Sequence, residues 1–257
     1  MRFTLATLLV VGLGTFAEAA VKTETVEYEF DGTKLKGFLA YDDAKNEKRP
    51  GVLVVHEWWG LNDYTKKRAT MLAELGYVAF CVDMYGDGQV TEHPEEAQKY
   101  SGMVRKNLKT WLGRAEAGLK VLQARPEVEP KKIAAIGYCF GGTTALQLAF
   151  AGNDLVAVAA FHAGLPPITD EMTKKLKAKL FVAQGADDSF IPKEAVQKFR
   201  GVLDRNKVSY LYEEYPGATH SFTVEGIEKK MKMLKYDAAA DKKSWEQMQM
   251  LFKDAFK

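Results

Sequence analysis

Cysteine is scarce in this chain. Its 257 residues include two, Cys81 and Cys139, so a disulfide-dense scaffold is excluded and at most one bridge remains. Histidine is almost as rare: His56, His93, His162 and His220 are all there is. No cluster has metal-ligand spacing and no glycine-rich loop could cradle a phosphate, so neither a metal nor an organic cofactor is expected. Charge of one sign is not in excess. The formal net charge is +2 and Lys and Arg are spread along the chain, which makes no electrostatic case for a nucleic-acid partner. Internal repeats and low-complexity linkers are absent too. What remains, 47% hydrophobic and 27% charged, suits a globular protein long enough to bury a sizeable core.

One apolar run stands apart from the rest. "MRFTLATLLVVGLGTFAEAA" opens with Arg2, continues through an apolar stretch from Leu5 to Leu13, and places Ala17 and Ala19 around Glu18. That is the pattern of a cleavable signal covering 1–19, cut after Ala19. Residues 20–257 are then expected to form a single exported domain, periplasmic or secreted, with no stable membrane insertion after cleavage. Cleavage removes Arg2 and Glu18 together, so the net charge is unchanged. The later charged stretch "EKKMKMLK" (228–235) reads as the solvated face of an amphipathic helix. Oligomerisation has no signature here, and a monomer is favoured.

Element order follows from periodicity. "TVEYEF" (25–30) and "KLKGFLAY" (34–41) alternate around Asp31-Gly32, a hairpin signal. "GVLVVH" (51–56) and "YVAFCVDM" (77–84) are continuous apolar runs, as in strands buried on both faces. Further strands are expected at 132–138, 155–162, 178–185 and 208–215. Helical patterns fill 63–75, 93–124 (split in two around Gly102 and Asn107), 140–151, 193–205, 226–236 and 241–256. Trp245, Met248, Leu251 and Phe252 share one helical face and should dock the last helix on the core. Strands alternating with helices give an α/β fold: a mostly parallel central sheet with helices on both faces. Reactive groups in such sheets lie beyond the carboxyl ends of the strands.

At one such end stands "GYCFGG" (137–142). Gly137-Tyr138-Cys139-Phe140-Gly141 is G-x-C-x-G between a strand and a helix, the cysteine version of the nucleophile elbow of α/β-hydrolases. A side chain two residues before or after the nucleophile would collide in so tight a turn, hence the glycines. The helix N-terminus then favours a thiolate. A nucleophilic cysteine needs a base and the base needs an orienting acid. His220 lies in the loop after the last strand. His56 and His162 each end a strand and could line the same pocket, while His93 reads as a helix cap. Asp187 and Asp188 follow the strand at 178–185, where one of them serves turn or cap chemistry. With Asp188 as the acid, the chain order is Cys139, Asp188, His220, that of α/β-hydrolases. A Cys81–Cys139 bridge is not expected, because the two cysteines end different strands and Cα atoms more than about 7 Å apart cannot be joined.

With "VLVVHEWWGLND" (52–63), "CVDMYGDG" (81–88), "GYCFGG" (137–142), "GADDSFIP" (185–192) and "GATHSF" (217–222) in place, the chain resembles the dienelactone hydrolase family from about Val21 to its C-terminal helix. The resemblance implies an α/β-hydrolase fold with Cys139 as nucleophile, Asp188 as the acid before the turn and His220 as the base. It further implies that Glu57 contacts the resting thiol, and that the backbone N–H groups of Phe140 and Trp58 form an oxyanion hole. Trp59, Tyr85 and His162 are expected in the substrate pocket. The implied reaction is hydrolysis of a small carboxylic ester or lactone through a thioacyl-enzyme. Two arginines that hold a substrate carboxylate in the family are missing: Asp87 falls where one would stand, and Val224 where the other would. The reaction type carries over; the substrate does not. The alternative is an exported non-catalytic binding protein on the same fold, with Phe140, Trp58 and Trp59 lining a ligand pocket.

Overall fold

The computed structural model describes residues 21–44 and 47–257; the expected signal segment, 1–19, lies outside the described residues. The chain opens with a hairpin of β1 (Val21–Phe30) and β2 (Thr33–Asp42). Phe30 pairs directly with Thr33, so the loop is the two residues Asp31 and Gly32, both at positive φ. That geometry matches the strand twist and explains the Asp-Gly pair.

From β3 (Arg49–Val55) onward, strands and helices alternate: α1 (Asp63–Glu74), β4 (Val78–Val82), α2 (Pro94–Arg105), α3 (Leu108–Gln123), β5 (Val128–Tyr138), α4 (Phe140–Ala151), β6 (Ala157–Phe161), α5 (Asp170–Lys175), β7 (Lys179–Gly185), α6 (Lys193–Arg205), β8 (Tyr210–Tyr215) and α7 (Ala238–Ala255). The sheet order is β1-β2-β4-β3-β5-β6-β7-β8. β2 meets β4 antiparallel, and every pairing from β4 to β8 is parallel.

The buried runs are explained by a core on each face. Along β3, Leu53 and Val55 point into one core, shared with Leu119 of α3, Leu146 of α4 and Leu203 of α6. Val52 and Val54 point into the other, shared with Leu72 of α1 and with Trp245, Met248 and Phe252 of α7. Period-two alternation within an all-apolar strand is what a two-sided sheet requires. The last helix docks through the residues expected of it, with Leu251 partly buried beside them.

Two expectations need correction, and one element was not foreseen. Gly102 does not break α2, which runs to Arg105; Asn107 makes the break by accepting the Thr110 N–H and capping α3. The stretch 226–236 holds only a single 3-10 turn, Ile227–Lys229. Its backbone is tied elsewhere: the Lys235 N–H donates to Thr219 Oγ1 at 2.9 Å and the Asp237 N–H to the Phe222 carbonyl at 2.9 Å. Ile227 and Leu234 pack on Trp59. Finally, α5 was not expected, although Thr169 caps it through the Met172 N–H.

Candidate active site

β5 ends at Tyr138 and α4 begins at Phe140, leaving Cys139 alone in the turn at φ 52°, ψ −114°. This conformation is rare for an L-residue and is held only where neighbours enforce it. The Cys139 N–H donates to the Phe161 carbonyl of β6 at 2.9 Å. The glycines are required by contact. A Cβ on Gly137 would lie 2.1 Å from the Gly141 carbonyl oxygen, and one on Gly141 2.1 Å from the Val55 oxygen. Gly141 therefore lets the end of β3 approach the elbow, which brings the Glu57–Trp59 loop beside Cys139.

That loop is built from below by His56. Its Nε2 accepts the Met84 N–H at 3.2 Å, so Nδ1 carries the proton and donates to the Glu57 carbonyl at 2.5 Å. The Tyr85 hydroxyl donates to the Trp58 carbonyl at 2.9 Å. Phe140, as the first residue of α4, has no preceding helical turn to receive its N–H.

His220 and Asp188 come from the loops after β8 and β7. His220 Nδ1 lies 2.8 Å from Asp188 Oδ2. Asp188 is held in turn by Gln184 Nε2 at 2.8 Å and by the Phe190 N–H at 2.9 Å. Burial works against a charge on His220, but the side chain of Cys139 and the carboxylate of Asp188 outweigh it and push the imidazole up to about 10. Both neighbours favour the protonated ring. Asp187 has no part in this and stands exposed.

Glu57 is 2% exposed and accepts the Ser221 hydroxyl at 2.9 Å; Cys139 instead engages His220. Burial holds the Glu57 carboxyl above its usual range, offset in part by Ser221 and by the charges of His220, Lys230 and Arg68.

Cys139 opens onto a cavity of about 250 Å³ lined by Trp58, Arg105, Phe190, His220, Met231 and Leu234 among others. Trp59, Tyr85 and His162 do not line it, contrary to expectation. Trp59 is buried in a cluster with Ala97, Ile227 and Leu234, of which Leu234 alone reaches the cavity. Tyr85 is turned toward the Trp58 carbonyl, and His162 is fully buried behind His220 with ring centroids 5.2 Å apart. Sequence reading missed Arg105, whose guanidinium lies 5.2 Å over the Phe140 ring. It also missed Ser221 and Gln184. Arg105 sits in a charged helix with no local sign of the site; Ser221 and Gln184 adjoin recognised motif residues, which was the available clue.

Comparison with known proteins identifies the family and the fold. The model of the dienelactone hydrolase family matches residues 35–256. A putative carboxymethylenebutenolidase of Aquifex aeolicus is 29% identical over 238 residues, covering 91% of this chain and 99% of its own. The carboxymethylenebutenolidase of Pseudomonas putida is 25% identical over 179 residues, covering 67% and 75%. Among solved structures, a dienelactone hydrolase-like promiscuous phosphotriesterase from metagenomic libraries superposes with a TM-score of 0.88 at 37% identity, covering 93% of this chain and 100% of that one.

Proposed function

Because the chain belongs to the dienelactone hydrolase family, we propose that it hydrolyses small carboxylic esters or lactones with Cys139 as the nucleophile. The observation that carries this reading is the meeting, at one cavity, of a strained elbow cysteine with a histidine already paired to a buried aspartate. The Cys139 thiolate attacks the carbonyl carbon. Charge moves to the carbonyl oxygen, which takes hydrogen bonds from the Phe140 and Trp58 N–H groups. The intermediate collapses by breaking the ester C–O bond, and the leaving oxygen takes the proton of His220. Neutral His220 then removes a proton from water as it attacks the thioacyl carbon. Cys139 leaves as thiolate, His220 is again an imidazolium, and the acid departs. Asp188 holds the ring and its charge throughout.

The cavity suggests the substrate. Its walls are largely apolar and Arg105 is the fixed cation among its lining residues. A small ester or lactone with an apolar body and an anionic group fits that chemistry, the cation coming from α2 instead of the two positions used elsewhere in the family. We also propose that the protein is exported, with cleavage after Ala19.

The test is a panel of esters, lactones and a phosphotriester, the last prompted by the activity named for the 37% identical relative. Cys139→Ala should lose ester hydrolysis by at least about 10³-fold. Wild type should give a thioacyl adduct by mass spectrometry with a slowly released acid. Full activity in Cys139→Ala would overturn the mechanism.

A further inference from the structure

Behind the triad lies a line of buried polar groups that the mechanism above does not use. Arg68 is 4% exposed. Its terminal NH2 nitrogen (Nη2) donates to Asp241 Oδ1 at 2.5 Å and to the Thr223 carbonyl at 3.0 Å, and its Nε–H donates to the Tyr64 hydroxyl at 3.3 Å. The Tyr64 oxygen is 2.6 Å from Thr223 Oγ1, and Thr223 Oγ1 is 2.8 Å from His162 Nε2. His162 Nδ1 is 3.8 Å from Glu57 Oε1.

We propose that His162 is a positioning residue whose Nδ1–H is aimed at the Glu57 carboxylate by a one-way hydrogen-bond chain starting at Arg68.

The direction follows from counting protons. A guanidinium only donates, so Tyr64 accepts from Arg68; among the described residues Thr223 Oγ1 is the one acceptor beside the Tyr64 hydroxyl, and it takes the Tyr64 proton. Thr223 Oγ1, having accepted that proton, has His162 Nε2 as its remaining partner among the described residues and donates its own proton there. Burial, and then the positive charges of His220 and Arg68, keep His162 well below its usual titration range, so the ring is neutral and its one proton is on Nδ1. At 3.8 Å this N–H is a dipole facing a carboxylate, not a hydrogen bond, but in a dry interior it still counts. His162 is held for the task at φ 39°, a conformation found when surroundings enforce it. The charged and titratable groups around it are Glu57, His220, Tyr138 and Arg68. Those acting on Glu57 are His220, Lys230 and Arg68.

The consequence is a bias on ionisation. A donor aimed at Glu57 favours its anion, the anion favours the imidazolium of His220, and the imidazolium favours the Cys139 thiolate. If the chain is cut at Thr223, His162 is free to take the other tautomer and present a lone pair to Glu57. The kinetic consequence rests on the reading of Cys139 as nucleophile; the tautomer does not.

Two measurements on the full chain decide it. In the ¹⁵N-histidine NMR spectrum of wild type, His162 should show a protonated Nδ1 and a bare Nε2; the opposite tautomer would overturn the proposal. Separately, the pH midpoint for alkylation of Cys139 by iodoacetamide should rise by about one unit in Thr223→Val and return in Thr223→Ser. An unmoved midpoint in a folded Thr223→Val would also overturn it. If wild-type Cys139 resists alkylation, the nucleophile reading fails while the tautomer still decides for or against His162.

Discussion

Cys139 and His220 show how a single side chain takes its properties from its neighbours. The thiol sits at a helix start in a strained turn, and the imidazole is buried between it and Asp188. A histidine whose folded titration point is raised contributes stability that is fully present below its unfolded value near 6.5 and is lost as pH climbs through the folded value. For His220 that window runs from about 6.5 up to about 10. The ring protons of His220 should therefore titrate near the top of it by NMR. Cys139→Ala, by removing the side chain that raises the ring, should lower that midpoint and flatten the loss of melting temperature across the same range.

Elements decide which residues can meet. α4 can start at Phe140 because Gly137 and Gly141 let three backbone segments touch. Helix α2 ends at Arg105, and that ending places a cation over Phe140 at the mouth of the site. A guanidinium used to bind substrate acts on binding more than on the chemical step. Arg105→Ala should therefore raise KM for esters carrying a carboxylate by about tenfold, as for a lost charged contact, and leave kcat nearly unchanged. Neutral esters of equal size should show no change in KM. Steady-state kinetics on a matched pair of substrates reads this directly.

For the whole molecule, the sheet order keeps the cysteines apart. β3 lies between β4, which holds Cys81, and β5, which leads into Cys139. Two strand spacings are about 9–10 Å, beyond disulfide reach, and both cysteines are free. Burial pushes the Cys81 thiol up, so it should be inert in the native state. A thiol reagent should label one cysteine, Cys139, in native protein and two after denaturation. The intact mass from that experiment also reads the N-terminus, expected at Ala20 in exported material.

The strands and most helices were legible in the sequence because apolar runs and glycine stops are local signals. So were Cys139, Asp188 and His220, since each lies in a short motif just after a strand. The 3-10 turn at Ile227–Lys229 was not legible, because its helical pattern was overridden by hydrogen bonds to Thr219 and Phe222. Nor was the composition of the cavity. Trp59 lies inside a motif and His162 ends a strand, yet neither lines it, while Arg105, more than thirty positions before Cys139, does. By itself the sequence determined the layer architecture and the chain order of Cys139, Asp188 and His220 after their strands, since periodicity and turn chemistry act over a few residues. Only the tertiary structure decided which side chains line the cavity beside Cys139 and which polar groups meet behind Glu57. Those depend on distances between segments far apart in the chain.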